Sequence, residues 1–412
     1  MSENDKIKIL FVDDDTHLLK ALRRNLRDMR HEWDMEFVDS GAAALTLLEK
    51  SPVDVVVSDM RMPEMDGAEL LHKVSKLYPS TIRIVLSGYA ENEAVNRTVG
   101  PSHQYLAKPC DPDALINIVQ RSIALRETLS TPELRNFVTG MQSLPSIPSA
   151  YRAFIAAVSN PLSTTDTVVA TIEHDIGLVT QILKLTNSAY FALPMKITNL
   201  RQAVQVLGFE TIRSLVTMSS FFTEFMGLTH HAGALETLSQ RSSTIGGLAR
   251  DIARSSGLNE SEIDQACCAG MLAHVGTLIL ITNVPDGFDN VIRQIDGEHA
   301  SLLDLERKVF SATHAEVGAC FLGLWGFSHP VVESVLYHHD PINSPEENFG
   351  IIGAVHAAQA LARFLDTPNL PSPEELSATL DTAYLQRMGK TDIYDNLYKL
   401  IDRRRQKAAA MA

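Results

Sequence analysis

The chain has 412 residues, 45% of them apolar, with 36 Lys and Arg against 50 Asp and Glu for a formal net charge of −14. That length allows two or three domains, and that apolar share is ordinary for packed globular structure. The acidic balance argues against a surface that holds nucleic acid by neutralising its phosphates, so direct nucleic-acid binding is not expected. Cys110, Cys267, Cys268 and Cys320 form no CxxC spacing, which indicates neither a zinc knuckle nor a redox pair and fits a reducing compartment. The polar N-terminus lacks a signal-peptide pattern, and no apolar run reads as long enough to cross a bilayer, so a cytoplasmic protein without a membrane partner is expected.

The first 125 or so residues alternate short apolar runs with amphipathic stretches. IKILFVD (7–13) is β-rich and ends in acid, and Leu18, Leu19, Leu22 and Leu26 then recur at helical spacing. MEFVDS (35–40), VDVVVSD (53–59), IRIVLSG (82–88) and QYLAKP (104–109) complete five strand candidates separated by helical patterns. Near-continuous apolar strands interleaved with helices predict a doubly wound α/β domain of five parallel strands. Asp15 is placed to cap the first helix. From Asp111 the strand signals stop: a helix begins near Pro112, the stretch 130–150 is rich in Ser, Thr and Pro, and long helical patterns follow. Ser163 or Thr165 is expected to cap the helix after Pro161, Gly208 to end a helix, and Ser372 to start one. Asn187 and Ser188 are read as satisfying backbone at a helix end. Trp325, Phe221 and Phe222 are read as core residues, and the 229–231 Thr-His-His run as a loop without a metal.

In open parallel sheets, ligands bind at the carboxyl ends of the strands. There the polar residues collect: Asp13 and Asp14 after strand one, Asp59 ending strand three, Ser87 ending strand four and Lys108 after strand five. Three carboxylates converging in one crevice call for a hard cation, and oxygen ligands in that arrangement suit Mg²⁺. A hydroxyl and an ammonium beside them can hold the oxygens of a transferred phosphoryl group.

This constellation resembles the receiver domain of two-component response regulators over about residues 6–125, on VDDD, SDMRMPEMDG, LSGYA and YLAKP. The resemblance implies a flavodoxin-like fold in which Asp59 is nucleophile and phosphoacceptor. It implies that Asp13, Asp14, Asp59 and the Arg61 backbone carbonyl ligate Mg²⁺, that Ser87 and Lys108 hold the phosphoryl oxygens, and that the Lys108–Pro109 bond is cis. Tyr105 takes the place of the aromatic switch coupled to Ser87. Phosphorylation then alters the surface formed by the fourth helix, fifth strand and fifth helix. The partner implied is a sensor histidine kinase or phosphotransfer protein, with homodimerisation through the switch face a further expectation.

The following region resembles the HDOD domain, an all-α output module related to the HD phosphohydrolases, on LPSIP (144–148), the helix pair from Asp175 to Asn187-Ser188, and AVQVLG (203–208). The expected organisation is a receiver over 1–125, a helical linker over 126–143, an HDOD domain over 144–365 and a helical extension over 366–412. In the HD enzymes a His-Asp dyad, further histidines and a late Asp hold two metals. Here the dyad positions read Ala273-His274, no His occupies 238–249, His314, His338 and His339 persist, and Gln359 stands where the late Asp falls. An imidazole does not easily bridge two cations and an alanine supplies no ligand, so no metal is expected in this domain. His338 and His339 are assigned to folding the helix end before Pro341, and Asp340 to capping or pairing there. The expectation is a non-catalytic HDOD output that contacts a downstream protein. The alternative is a phosphorylation-gated, metal-dependent phosphohydrolase acting on a nucleotide or cyclic dinucleotide.

Overall fold

The computed structural model describes residues 6–87, 101–187, 196–212, 223–224, 231–297, 301–365, 367, 370–391 and 393–411. Ser188, Phe221, Phe222, Thr229 and His230 lie outside the described residues, as does the Ser87 side chain.

The N-terminal strands β1 (Ile7–Val12), β2 (Trp33–Val38), β3 (Val55–Asp59), β4 (Ile82–Ser87) and β5 (Gln104–Ala107) form one parallel sheet in the order β2-β1-β3-β4-β5. That order reverses beside β1, which is the flavodoxin-like doubly wound topology. The helices α1 (Thr16–Asn25), α2 (Gly41–Lys50), α3 (Gly67–Leu77) and α4 (Pro112–Glu127) start on side-chain caps from Asp15, Ser40, Asp66 and Asp111, each accepting backbone N–H groups of the first turn. The fourth helix of the expected switch surface would fall between β4 and β5, in 88–100, outside the described residues. The Lys108–Pro109 bond is cis.

Within the stretch read as linker, α5 (Pro132–Gly140) forms because Thr131 accepts the Leu134 N–H and Pro132 fits the first helical turn. Among the described residues the rest is helical: α6 (Pro148–Ser159), α7 (Thr165–Ile172), α8 (Ile176–Thr186), α9 (Leu200–Leu207), α10 (Ala232–Ser255), α11 (Glu260–Leu272), α12 (Val275–Asn283), α13 (Pro285–Gly297), α14 (Leu302–Phe310), α15 (His314–Leu324), α16 (His329–Tyr337), α17 (Ile351–Ala362), α18 (Pro373–Ala378), α19 (Thr382–Arg387) and α20 (Ile393–Met411). One short pair of strands interrupts it: β6 (Pro145–Ser146), inside the Leu-Pro-x-Ile-Pro stretch, runs parallel to β7 (Thr223–Glu224).

Several local expectations are corrected. The cap after Pro161 is Thr164, one residue from either candidate, because its hydroxyl reaches the Thr167 N–H. The run Glu260–Asn283 is long and apolar enough to cross a bilayer, contrary to the sequence expectation, but 83% of its apolar window is buried inside the protein. A helix surrounded by others is apolar on all sides. Asn187 behaves as read: its amide nitrogen donates to Leu183 and Ile197 carbonyls, and its oxygen accepts the Ile197 N–H. Gly208 ends α9 and Ser372 opens α18 with a capping box to Glu375.

Apolar packing is continuous between the two regions. One face of the sheet, with Ile9, Phe11, Val57 and Ile84, belongs to the same buried cluster as Leu129, Leu144, Leu278 and Phe321. The other face, with Leu10, Val12, Val56 and Val85, forms a separate core against α2 and α3.

Candidate functional site

The ends of β1 and β3 bring the acids together. Asp13, Asp14 and Asp59 each place a carboxylate oxygen within 4.8 Å of the others. Asp13 and Asp59 are buried and Asp14 is exposed. Lys108, one residue beyond β5, spans the buried pair, its Nζ 2.6 Å from Asp13 Oδ2 and 2.5 Å from Asp59 Oδ1. The Arg61 N–H donates to Asp59 Oδ2 at 3.0 Å, so both oxygens of that carboxylate are held. Burial raises the Asp59 carboxyl above the usual carboxylate range, although Lys108 opposes it. For Lys108 burial acts downward, but its pairs with Asp13 and Asp59 outweigh it and raise the ammonium. Gly67 fixes the loop after β3: its N–H donates to the Met60 carbonyl, and a Cβ there would collide with the Asp59 carbonyl oxygen. A hard-oxygen donor set with one exposed and two buried carboxylates fits Mg²⁺. Ser87 closes β4 in register with Ala107, and Tyr105 packs half-buried against the core of the α2/α3 face.

Behind that crevice the sheet meets the helices. Gln104, the first residue of β5, donates from Nε2 to the Gly323 carbonyl at 3.0 Å and to Ser122 Oγ at 3.1 Å. Leu125 of α4 lies directly over the Gly323 Cα, where a Cβ would overlap its Cδ1. Arg83 in β4 is fully buried, and its guanidinium donates to the carbonyls of Thr81, Pro101 and Thr139. His103 accepts the Arg83 backbone N–H at Nδ1, so Nε2 carries the proton and lies 2.8 Å from the Thr139 carbonyl. These bonds clamp α5 to the sheet. Lys184 of α8 stacks its Nζ 3.6 Å over the Trp325 ring, and burial, then Arg83, push its ammonium well below the usual value. None of Arg83, His103, Gln104, Lys184 or Gly323 stood out in the sequence.

The second cluster lies in the helical region. His274, Ala273, His338 and Gln359 are buried at the α11–α12 junction, the α16 end and α17, and His314 opens α15. His274, His314, His338 and His339 each offer a ring nitrogen within 4.8 Å of the others. The sequence alone assigns them no metal, because the dyad carboxylate is missing. The structure adds that they converge, and that Glu306, which the sequence did not single out, sits behind His314 with both oxygens within 2.9 Å of Nδ1. A signal existed: Leu305, Glu306, Val309 and Phe310 follow one another at helical spacing, so Glu306 falls on the inward stripe of α14. His338 ends α16 and its Nδ1 bonds the Val335 carbonyl, while Asp340 Oδ2 accepts from Asn343. Burial first, then His314, lower His338 to about 3.

Comparison with known proteins covers both regions. The response regulator receiver domain model matches residues 9–120, and the HDOD domain model matches 144–341. The hydrogenase transcriptional regulatory protein HoxA of Cupriavidus necator is 34% identical over 40% of this chain and 36% of its own length. The chain spans between 24% and 50% of the length of the first curated relatives it matches. Among solved structures, the signal receiver domain of an HD domain-containing protein from Pseudomonas fluorescens Pf-5 is 30% identical, covering 30% of this chain and 98% of that one at a TM-score of 0.29. The MmoQ response regulator fragment from Methylococcus capsulatus is 21% identical, covering 57% of this chain and 89% of that one at a TM-score of 0.44.

Proposed function

The chain belongs to the response regulators that join a receiver domain to an HDOD domain, and on that premise we propose that phosphoryl transfer to Asp59 switches a non-catalytic HDOD output acting through protein–protein contact. A receiver domain implies a phosphodonor such as a histidine kinase. The observation that carries the reading is the Lys108 ammonium, which bridges Asp13 and Asp59 at the mouth of the sheet. Asp13, Asp14, Asp59 and the Arg61 carbonyl would hold Mg²⁺, which when bound supplies positive charge against the phosphoryl oxygens.

In the transfer, an Asp59 carboxylate oxygen forms a bond to phosphorus, the phosphorus–nitrogen bond of the donor imidazole breaks, and the imidazole leaves with that electron pair and takes up a proton. The aspartyl phosphate carries about −1.5 to −2 charges where a single negative charge stood. Lys108 then gains a stronger partner than the carboxylates it now bridges, and Ser87, the last residue of β4, would hold a phosphoryl oxygen. Lys108 directly follows β5, and the other end of β5 is bonded through Gln104 to the Gly323 carbonyl of the HDOD helix. A shift along β5 therefore changes how the HDOD domain is held, and with it the surface offered to a downstream protein.

Absence of turnover in the HDOD domain is supported by Ala273, which supplies no ligand, and by the neutral Gln359 at the position of a late carboxylate. Direct contact with nucleic acid plays no part in this reading. The deciding experiment is incorporation of phosphate from acetyl phosphate into the purified chain. We expect one phosphoryl group on wild type and none on Asp59→Asn; continued labelling of the variant would overturn the assignment. Metal-dependent hydrolysis of a phosphodiester that disappears in His338→Ala would instead favour the hydrolase reading.

A further inference from the structure

Four imidazoles cannot converge in a dry interior without a reason, because each brings a ring nitrogen that needs a proton donor or a cation. Buried polar groups without a partner cost about 1–3 kcal/mol each. Here His338 Nε2, His274 Nδ1 and Gln359 Oε1 are buried and have no hydrogen-bond partner among the described residues. The tautomers show which nitrogen is bare in two of the rings, and His274 Nε2 faces the Gln359 amide at 3.2 Å, where the amide oxygen turned toward that nitrogen accepts its proton and leaves His274 Nδ1 bare. His314 Nδ1 faces the Glu306 carboxylate and carries a proton there, so in the neutral ring Nε2 is the lone pair. His338 Nδ1 lies 2.7 Å from the Val335 carbonyl and must also carry its proton, which leaves its Nε2 bare. His314 Nε2 faces His339 Nε2 at 3.2 Å.

That spacing has a meaning. Zinc–imidazole bonds of about 2.0–2.1 Å at tetrahedral angles put neighbouring nitrogens roughly 3.4 Å apart. The His314–His339 pair already stands at that separation, and all four donors lie within 4.8 Å. A carboxylate behind one ligand and a backbone carbonyl behind another are the supports that orient and strengthen metal-binding imidazoles. Glu306 is 2% exposed and brings a negative charge to the cluster, which Arg241 faces from α10.

We propose that His274, His314, His338 and His339 bind one divalent transition-metal ion of borderline softness, such as Zn²⁺, in a closed site within the HDOD domain. Imidazole donors select that class of ion over Mg²⁺ or Ca²⁺. Ala273 denies a second metal its ligand, so the site is mononuclear. Four protein nitrogens complete a tetrahedral shell and leave no position for a substrate or water, so the ion is structural. It ties the α11–α12 junction to the start of α15 and the end of α16. The same α15 carries Gly323 at its other end, against the receiver. The inference is independent of phosphorylation, and it departs from the sequence expectation because convergence, not the missing dyad, decides whether a metal is held.

The test uses the full chain without a polyhistidine tag, stripped with chelator and titrated with Co²⁺ in millimolar Mg²⁺ to keep the receiver acids occupied. We expect one Co²⁺ per chain, the intense visible absorption of a tetrahedral nitrogen site, and its loss on addition of one equivalent of Zn²⁺. His314→Gln and His338→Gln should each abolish the band, and Glu306→Gln should weaken Co²⁺ binding by about 10–100-fold. Asp13→Asn should leave the band unchanged. The wild-type titration decides even where a variant fails to fold: no tetrahedral band overturns the proposal. So does a band that survives both histidine variants, or one lost in Asp13→Asn.

Discussion

The side-chain amide of Gln104 donates to the main-chain carbonyl of Gly323 at 3.0 Å, joining the first residue of the receiver's outer strand to an HDOD helix 219 residues away. The contact is close because Gly323 lacks a Cβ, which lets Leu125 lie against its backbone. Gly323→Ala should therefore push α4 away from α15 at a cost of about 1–3 kcal/mol from overpacking. Gln104→Leu should cost about 1 kcal/mol, since it removes a side-chain donor from the Gly323 carbonyl, which keeps the Gly326 N–H. Urea unfolding and amide hydrogen exchange of residues 318–327 check both. Leu125→Ala, added to Gly323→Ala, should recover part of the loss by making room for the methyl. Unchanged exchange in Gly323→Ala would mean that α4 and α15 are not packed together in solution.

Gly67→Ala probes the acid site without touching an acid. The added Cβ would meet the Asp59 carbonyl and stand 3.1 Å from Met60 Cα, backbone atoms that cannot yield without moving Asp59. A misplacement of about 1 Å can cost on the order of 10²-fold in rate. Phosphorylation by acetyl phosphate should slow by about that factor, with far-UV circular dichroism unchanged. A wild-type rate would show that the loop relaxes elsewhere and that Gly67 does not position the phosphoacceptor.

What the sequence made legible and what it hid follow one physical division. A strand buried on both faces reads as an apolar run, so the acids that end β1 and β3 stand out, and with them the doubly wound fold. Arg83 sits inside such a run and is 0% exposed, yet nothing local marks it. Its solvation comes from Thr81, Pro101 and Thr139, which only the folded chain gathers. The absence of ligands at Ala273 and Gln359 is a statement about identity, and sequence carries it. The convergence of His274 with His314, His338 and His339 is a statement about how α11, α12, α15 and α16 cross, and sequence does not. Glu306 lies between, since its place on an apolar stripe was visible but its partner was not.

His103 gives the seam between sheet and α5 a defined response to acid. Its ring is buried between the Arg83 backbone N–H, which donates to Nδ1, and the Thr139 carbonyl, which lies 2.8 Å from Nε2. A second proton would have to sit on Nδ1, facing a donor, beside the Arg83 guanidinium and near Lys184. Burial first, then Arg83 and Lys184, accordingly hold the imidazole well below its ordinary 6.5. A base whose folded pKa lies below its unfolded value binds fewer protons folded than unfolded throughout the interval between them. Stability contributed here is thus complete above pH 6.5 and falls as the pH drops below it, because protons favour the unfolded chain. The urea midpoint of the full chain should decline between pH 7 and pH 5, and the decline should be shallower in His103→Asn, which keeps a side-chain acceptor but does not titrate. Slopes that match in the two proteins would remove His103 as a source of acid sensitivity and would place the proton uptake elsewhere in the chain.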